Sequence, residues 1–293
     1  MVTVWCFGSI NVDHVYGLGH LPAPGETLAA QSYRLELGGK GANQSVACAK
    51  AGGELRLLGA VGADGAPILA QLVGLGVDCA GVQQVAGATG HAIILVDQSG
   101  ENSIIIHPGA NRAMALDAVL VALKDAEIGD LLLMQNETAH QAAVAEAAMG
   151  LGMEVVYSAA PFDVEAVQAV LPYVNMLVMN AVEAQQMQDA LGVRLEEMPV
   201  ETLVVTRGAD GASWYARGTP DIHVPALAAH VVDTTGAGDC FTGALAAALD
   251  AGAEPEAAMR FASAAASLQV ARPGAAAAMP ARAEILALVG KGG

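Results

Sequence analysis

The sequence predicts an α/β fold in which a doubly wound, mostly parallel sheet is flanked by helices. Apolar runs such as 131–135 alternate along the chain with alanine-rich helical segments such as 139–149. This alternation is typical of a parallel sheet covered on both faces. Hydrophobic residues make up 54% of the chain and charged residues only 15%, which supplies a large buried core. Glycine-rich turns lead directly into helices at 38–41 and 236–238.

A small antiparallel β-sheet is predicted to stand off the main sheet as a lid. Residues 33–37 alternate apolar and polar side chains, the period of a half-exposed strand. Strands 91–96 and 103–107 flank the turn D-Q-S-G-E-N at 97–102, as in a hairpin. A sheet that stands over a crevice can act as a lid. The predicted division is a core of residues 1–12, 40–88 and 111–293 and a lid of residues 13–39 and 89–110.

Charge and cysteine content exclude several classes of partner. The formal net charge is −17, from 30 acidic residues against 13 Lys plus Arg, so neither nucleic acid nor an acidic membrane surface is expected as a partner. Four cysteines without metal-like spacing indicate reduced thiols and a cytoplasmic location. Residues 2–7 are expected to form a first strand rather than a signal peptide, and no apolar run suggests a membrane span. Small molecules are therefore the expected partners.

The stretch 231–250 is the most informative part of the chain. Two valines lead into Asp233, a glycine turn follows at 236–238, and Asp239 stands where the next helix starts. The first amides of a helix have no internal partner and bind anions. A carboxylate beside such a site can take a proton from a hydroxyl while the amides hold a transferring phosphoryl group. A second interpretation stays open, in which the loop only packs the helix and Asp239 is a helix-start residue.

Polar side chains collect where predicted strands end. In a doubly wound sheet these ends meet at one crevice. Each such residue taken alone is more often a cap or a turn, but six at equivalent positions indicate a ligand site. A P-loop is not supported, because no Ser or Thr follows Lys40, and neither is a Rossmann dinucleotide motif, because Gly8 is followed by S-I-N. The six residues are Asn11, Asp13, Glu137, Asn180, Thr206 and Asp239.

Seven motifs along the chain resemble the ribokinase-like carbohydrate kinase family. They are G-S-I-N-V-D at 8–13, P-A-P-G-E-T at 22–27, G-G-K-G-A-N-Q at 38–44, G-E-N-S-I-I-I-H-P-G-A-N at 100–111, M-Q-N-E at 134–137, N-A-V-E at 180–183 and D-T-T-G-A-G-D at 233–239. The resemblance runs almost from end to end, and its most specific signature is the last of these motifs. The G-G-K-G-A-N and G-E-N stretches are most similar to the family members that phosphorylate ribose.

The resemblance implies a kinase that uses ATP to phosphorylate the primary hydroxyl of D-ribose, giving D-ribose 5-phosphate. Family members that act on deoxyribose, fructose, ketodeoxygluconate or a nucleoside are the alternatives. Few aromatic residues accompany the sugar-site motifs, which disfavours a nucleoside because bases are usually stacked on rings. A non-catalytic sugar sensor on the same fold is a further alternative, and the intact Asp239 and glycine turn disfavour it.

The resemblance also implies roles for individual residues. The sugar site is implied to consist of Asn11, Asp13, Gly39, Lys40, Asn43, Glu137 and Asp239. Asp239 is implied to be the base, and the amides of Gly236, Ala237 and Gly238 are implied to hold the phosphoryl charge. The implied ATP-binding residues are Asn180, Thr206, Gly208, Gly211, Gly238 and Ser263.

Two metal ions and a second subunit are implied as well. Asn180 and Glu183 are expected to hold Mg²⁺ largely through water. A K⁺ site made mainly of backbone carbonyls is implied at Asp233, Thr235, Gln269, Arg272 and Gly274. Ala278 stands where the family offers a serine hydroxyl, so K⁺ is expected to activate with weakened affinity. The apolar residues Tyr33 and 104–106 on the lid predict a homodimer formed through that sheet.

Overall fold

The computed structural model describes residues 3–290, so Val2, at the start of the predicted first strand, lies outside the described residues. The strands are β1 Val4–Phe7, β2 Asn11–Gly17, β3 Ser32–Gly38, β4 Leu55–Val61, β5 Val82–Gln84, β6 Gly90–Val96, β7 Asn102–His107, β8 Leu131–Gln135, β9 Glu154–Ser158, β10 Met176–Asn180, β11 Thr202–Thr206, β12 Ala212–Ala216 and β13 Ile222–Val224. The α-helices are α1 Lys40–Ala51, α2 Ala66–Gly74, α3 Leu116–Ala122, α4 Gln141–Gly150, α5 Val164–Val170, α6 Ala181–Leu191, α7 Ala237–Asp250, α8 Pro255–Gln269 and α9 Arg282–Val289. None of the helices within residues 3–290 is long and apolar enough to cross a membrane.

The main sheet has nine strands in the order β13-β12-β11-β10-β9-β8-β1-β4-β5. Its pairings are parallel from β11 to β5, whereas the pairings of β12 with β11 and with β13 are antiparallel, so β12 alone of these nine strands runs in the opposite direction. The chain winds outward from β1 to β5 in one direction and from β8 to β11 in the other. The direction of winding therefore reverses between β1 and β8, where such sheets form a ligand crevice at their carboxyl ends.

Two apolar cores cover the two faces of the main sheet. Successive residues of β1 belong to different cores, since Cys6 lies in one and Phe7 in the other, as expected when side chains alternate across a strand. The first core includes Phe241 of α7, and the second includes Val144 of α4. This arrangement confirms the predicted doubly wound sheet with helices on both faces.

The second sheet has four strands in the order β3-β2-β6-β7. It is mixed rather than wholly antiparallel, because β2 and β6 run parallel while the two outer pairings are antiparallel. The reason lies in the main sheet. Both β1 and β5 belong to its parallel set, so the chain emerges at the same edge each time and enters β2 and β6 in the same direction.

The two faces of this second sheet differ in character. One row across the four strands contains Leu35, His14, Ile93 and Ile105. The neighbouring row contains Glu36, Asp13, Ala92 and Ile106 and belongs to the opposite face, because the pleat turns successive side chains to opposite sides. The sheet therefore has one face that carries Asp13 and another that is largely apolar.

Helices α1 and α7 pack closely at a glycine. A Cβ at Gly243 of α7 would lie only 2.7 Å from the Cβ of Ala47 and 3.0 Å from the backbone nitrogen of Cys48 in α1. Glycine is therefore required by the close approach of the two helices. The same approach brings the first turn of α1 to the first turn of α7.

Candidate active site

The glycine turn before α7 leaves the start of that helix open. Gly236 adopts the left-handed conformation with φ 77°, and no side chain caps the helix. Gly238 has no atom within 4 Å of a Cβ placed on it and has no positive φ. Neither packing nor backbone geometry of the protein requires glycine at that position, so the empty volume is suited to a ligand. Ala237 N donates to Thr234 O at 3.2 Å, and the other amides of the first turn make this volume a site for an anion.

Asp239 stands in the first turn of α7 and is held by two amides from α1. Its side chain is buried, with a residue exposure of 7%. Asn43 Nδ2 donates to Oδ2 and Gln44 Nε2 donates to Oδ1, both at 3.0 Å. Gln135, at the end of β8, donates in turn to Gln44 Oε1 at 2.8 Å. These contacts fix the carboxylate between the two helix starts.

Gln44 and Gln135 were missed as site residues by the sequence reasoning. Both lie inside motifs that had been singled out, Gln44 at the end of G-G-K-G-A-N-Q and Gln135 within M-Q-N-E. Their positions in those motifs were the available signal. Their roles as positioning residues depend on contacts over 195 and 91 residues of sequence.

Lys40 is the cation of the site. The Asp239 carboxylate raises the pKa of Lys40, burial lowers it, and Glu137 and Glu183 add to the increase. The ammonium group therefore stays charged at neutral pH. Lys40 lines a cavity with Glu183 and Asp239, and a compact cation in this position can neutralise charge on a phosphoryl group.

Glu137 and Asn11 are fixed beside the end of β1. Glu137 Oε2 accepts from the backbone nitrogen of Lys40 at 3.1 Å and from Ser9 Oγ in a short contact. Asn11 Oδ1 accepts from Asn111 Nδ2 at 2.8 Å, and Asn111 also pairs with the backbone of Ile10. Asn111 is a third positioning residue, and it lies at the end of the motif at 100–111, for which no role of Asn111 was predicted.

Asn11 and Asp13 do not lie in a loop beyond a strand, because β2 starts at Asn11. The pKa of Asp13 is raised to about 7, chiefly by burial and further by Glu36 and Glu137. Asp13 lies in the same row of the second sheet as Glu36, and Glu137 is near enough to contribute to this shift. Asn43 has a buried Oδ1 without a partner among the described residues. An orphaned acceptor of this kind suits a ligand hydroxyl.

A cavity of about 200 Å³ lies beside Asp239 at the ends of β9, β10 and β11. Its walls include Lys40, Asn180, Glu183, Thr206 and the stretch 236–239. Lys40 and Asp239 therefore separate the Glu137 side of the crevice from this cavity.

The remaining residues of the predicted nucleotide site lie outside the walls of this cavity. Gly208 and Gly211 belong to the loop after β11, and both have positive φ. Gly211 lies against the backbone of Val224 and Ala226, so its glycine also serves packing. Ser263 is buried within α8.

Asn180 and Glu183 form a reciprocal cap at the start of α6. Asn180 Oδ1 accepts from the backbone nitrogens of Val182 and Glu183 at 2.9 Å, and Glu183 Oε2 accepts from Asn180 N at 2.8 Å. Burial raises the pKa of Glu183, while Asn180 N and Lys40 lower it. Glu183 lines a cavity together with Asp239. Such carboxylate oxygens fit Mg²⁺ held through water.

Three of the five carbonyls implied as K⁺ ligands, those of Thr235, Gln269 and Gly274, already accept hydrogen bonds within the chain. Gln269 Nε2 donates to Thr235 O at 2.6 Å and to Gly274 O at 3.0 Å. Asp233 accepts from the backbone nitrogens of Thr235 and Gly274, each at 2.9 Å. Burial raises the pKa of Asp233, but these hydrogen bonds outweigh it and lower the pKa overall. The residues present therefore do not fit a resident cation.

Cys240, next to Asp239, has a packing role. The thiol is buried, and burial raises its pKa. Because the nucleophilic form of cysteine is the thiolate, this shift disfavours a chemical role.

Within residues 3–290, no group of three or more His, Cys, Asp or Glu side chains could hold a metal ion.

Most of the chain matches a known family. The model of the pfkB family of carbohydrate kinases matches residues 1–282. The chain belongs to the pfkB family of carbohydrate kinases. It is 33% identical over 301 residues to a ribokinase of Haemophilus influenzae, covering 97% of each chain.

Solved ribokinase structures share the fold of this kinase. The ribokinase of Thermotoga maritima superposes with a TM-score of 0.89 at 32% identity, covering 99% of this chain and all of that one. The Arabidopsis thaliana ribokinase complexed with ribose and ATP superposes with a TM-score of 0.87 at 31% identity, covering 99% of each chain. These matches confirm the family predicted from the motifs.

Proposed function

We propose that the protein is a kinase that transfers the terminal phosphoryl group of ATP to the primary hydroxyl of D-ribose, giving D-ribose 5-phosphate. The observation that carries the proposal is the position of Asp239. It stands at the open start of α7, with Asn43 and Glu137 on one side and the cavity of Asn180 and Thr206 on the other. A hydroxyl bound on the first side can lose its proton to Asp239 while facing a phosphoryl group on the second.

The sugar side is rich in oxygen acceptors. Asp13, Glu137 and the unpartnered Oδ1 of Asn43 can accept hydrogen bonds from several hydroxyls. A pentose presents hydroxyls on neighbouring carbons, and a carboxylate can accept from two of them. This acceptor chemistry supports a polyhydroxylated substrate over an apolar one.

In the proposed reaction, the residues of this chain position the substrates, deprotonate the sugar hydroxyl and neutralise the charge of the transferring phosphoryl group. Asp239 takes the proton from the sugar hydroxyl as the oxygen attacks. The amides of Gly236, Ala237 and Gly238 and the ammonium group of Lys40 hold the negative charge of the transferring phosphoryl group. Bound Mg²⁺ supplies neutralisation of the phosphate oxygens, and Glu183 with Asn180 would hold it. The proposal does not include K⁺, because the Gln269 amide already donates to two of the carbonyls implied as its ligands.

We also propose a homodimer formed through the apolar face of the second sheet, and a cytoplasmic location. Leu35, Ile93 and Ile105 lie in one row and are 58%, 36% and 61% exposed. Apolar side chains clustered in this way mark an interaction surface. A second copy of the same sheet offers a flat apolar face of the same kind. The free cysteines support a reducing compartment.

A substrate panel tests the proposed activity. We expect kcat/KM with ATP to be at least about tenfold higher for ribose than for 2-deoxyribose, because a missing hydroxyl leaves a buried acceptor unpaired. Fructose, ketodeoxygluconate and a nucleoside complete the panel, with product formation measured for each. Preference for any of these would overturn the ribose assignment, and ATP hydrolysis that no sugar stimulates would overturn the kinase assignment.

A further inference from the structure

The side-chain amide of Gln269 lies between two backbone carbonyls of the site implied for K⁺. Gln269 is the last residue of α8 and is 0% exposed. Its single nitrogen, Nε2, donates to the carbonyls of Thr235 and Gly274, at 2.6 and 3.0 Å. These carbonyls belong to residues 39 positions apart, one in the segment before α7 and one in the segment after α8, so the amide joins the two segments.

The orientation of this amide follows from its partners. Turned the other way, Oε1 would face two carbonyl oxygens, and an acceptor cannot pair with acceptors. In the observed orientation Oε1 is buried without a partner among the described residues. The observed orientation thus satisfies two carbonyls with N–H donors and leaves one acceptor, Oε1, unsatisfied.

Three further oxygens of the loop are paired as well. The carbonyl of Gln269 accepts from Arg272 N at 3.0 Å. Both carboxylate oxygens of Asp233 accept from backbone nitrogens. Buried oxygens gain from a cation chiefly when no N–H satisfies them, and Ala278 offers no hydroxyl in addition.

We infer that the Gln269 amide takes the place of a monovalent cation and makes this kinase independent of K⁺. The partial positive charge of the two N–H groups holds the carbonyls that an ion would otherwise hold. Gln269 is a positioning residue, since Thr235 immediately precedes Gly236 and the turn that starts α7. Fixing the carbonyl of Thr235 fixes the turn whose amides form the anion site.

Measurements in three salts test this inference. Wild-type protein, Gln269→Ala and Gln269→Glu would be compared in KCl, NaCl and tetramethylammonium chloride at equal ionic strength, by thermal unfolding and by sugar-dependent turnover. For the wild type we expect kcat/KM to agree within about twofold and the unfolding temperature to be the same in all three salts. Ser267→Ala, on the same helix, is the control and should behave like the wild type.

The two variants should acquire a response to K⁺. Gln269→Ala removes the donor and leaves space, and Gln269→Glu places a carboxylate against two carbonyl oxygens. In both we expect KCl to raise the unfolding temperature by about 2 °C or more over tetramethylammonium chloride and to restore lost turnover. Because Gln269→Ala and Gln269→Glu change the site in different ways, failure of one to fold leaves the other as a test.

Two results would overturn the inference. One is a wild-type protein that KCl selectively stabilises or activates, which would mean that the Gln269 side chain yields its place to the ion. The other is a pair of folded variants that ignore K⁺, which would mean that the amide replaces no cation. The activity arm rests on the proposed function, whereas the unfolding arm does not. A protein without kinase activity in any salt would refute the proposed function and still leave this inference decided by unfolding.

Discussion

At the scale of single residues, the site depends on how one carboxylate is held. Asp239 accepts from Asn43 and Gln44, and Gln135 orients Gln44 from behind. These neutral amide donors hold the carboxylate in place by hydrogen bonds and do not bring a full positive charge next to it. Lys40 supplies the charge separately, from the cavity side.

Asp239→Asn is expected to keep the binding of ATP and sugar and to lose turnover by about 10²–10⁴-fold, because general base catalysis is typically worth that factor. The substitution is nearly isosteric, so the packing at the start of α7 is retained. Steady-state kinetics and calorimetric binding measure the two effects. Turnover within about threefold of the wild type would contradict the role of Asp239 as the base.

The raised pKa of Asp13 predicts a pH dependence of sugar binding. Below a pKa of about 7 the carboxyl group is protonated, and above it the carboxylate can accept from two sugar hydroxyls. We therefore expect kcat/KM for ribose to rise with pH up to about 7 and then to level. Glu36→Gln should move this inflection to lower pH, because Glu36 contributes to the increase of the pKa.

The raised pKa of Asp13 also makes the free energy of unfolding depend on pH. Since the folded-state pKa of Asp13 lies above its ordinary value of 3.8, the unfolded state releases the proton first as the pH rises. The contribution of Asp13 to the free energy of unfolding thus falls between pH 3.8 and about 7. Asp13→Asn should remove this fall, and an unchanged pH profile of kcat/KM in Asp13→Asn would show that another group titrates.

At the scale of elements, the site is assembled by the packing of α1 on α7. Asn43 and Gln44 lie on α1, and Asp239 lies on α7. The distance between these helices is set at Gly243, where the backbone of α1 comes too close for a side chain. The position of the base therefore depends on a glycine one turn further along α7.

Gly243→Ala is expected to lower both stability and turnover. The added methyl group would meet Ala47 and Cys48, and overpacking costs about 1–3 kcal/mol. A shift of α1 would also move Asn43 and Gln44 away from Asp239. Gly150→Ala is the matched control, because it ends another helix and a Cβ there would have open space.

Thermal unfolding and kinetics of Gly243→Ala and Gly150→Ala measure the effect. The control should match the wild type in kcat. A Gly243→Ala protein with wild-type kcat and unfolding temperature would show that α1 and α7 can separate without disturbing the site.

At the scale of the whole molecule, the second sheet has one face for the site and one free apolar face. Asp13 belongs to the first face, and Leu35, Ile93 and Ile105 belong to the second. A chain with a net charge of −17 is repelled from copies of itself at long range. Association must therefore come from local apolar contact.

Leu35→Asp is expected to turn a dimer into a monomer, because it places a charge within the apolar row. Size-exclusion chromatography with light scattering measures the mass. Ile128→Asp is the control, since Ile128 is 88% exposed and lies outside the second sheet, and it should leave the dimer intact. A wild-type protein that is monomeric at micromolar concentration would refute the proposed interface.

The sequence by itself determined the fold class, the family and most of the proposed site. The apolar strands and alanine-rich helices are recognised from the residue pattern within each element. The glycine turns at 38–41 and 236–238 mark helix starts through the backbone conformations that glycine allows. The capping pair of Asn180 and Glu183 is equally local, with a spacing of three residues. Features formed by residues a few positions apart can be predicted from the sequence alone.

Only the tertiary structure decided which side chains hold one another. The contact of Asn43 with Asp239 joins residues 196 positions apart, and that of Asn111 with Asn11 joins residues 100 apart. The parallel pairing of β2 with β6 and the position of the Gln269 amide likewise depend on which elements are neighbours in space. Strand order and helix packing set these contacts, and the periodicity of a single segment carries no information about its distant partners.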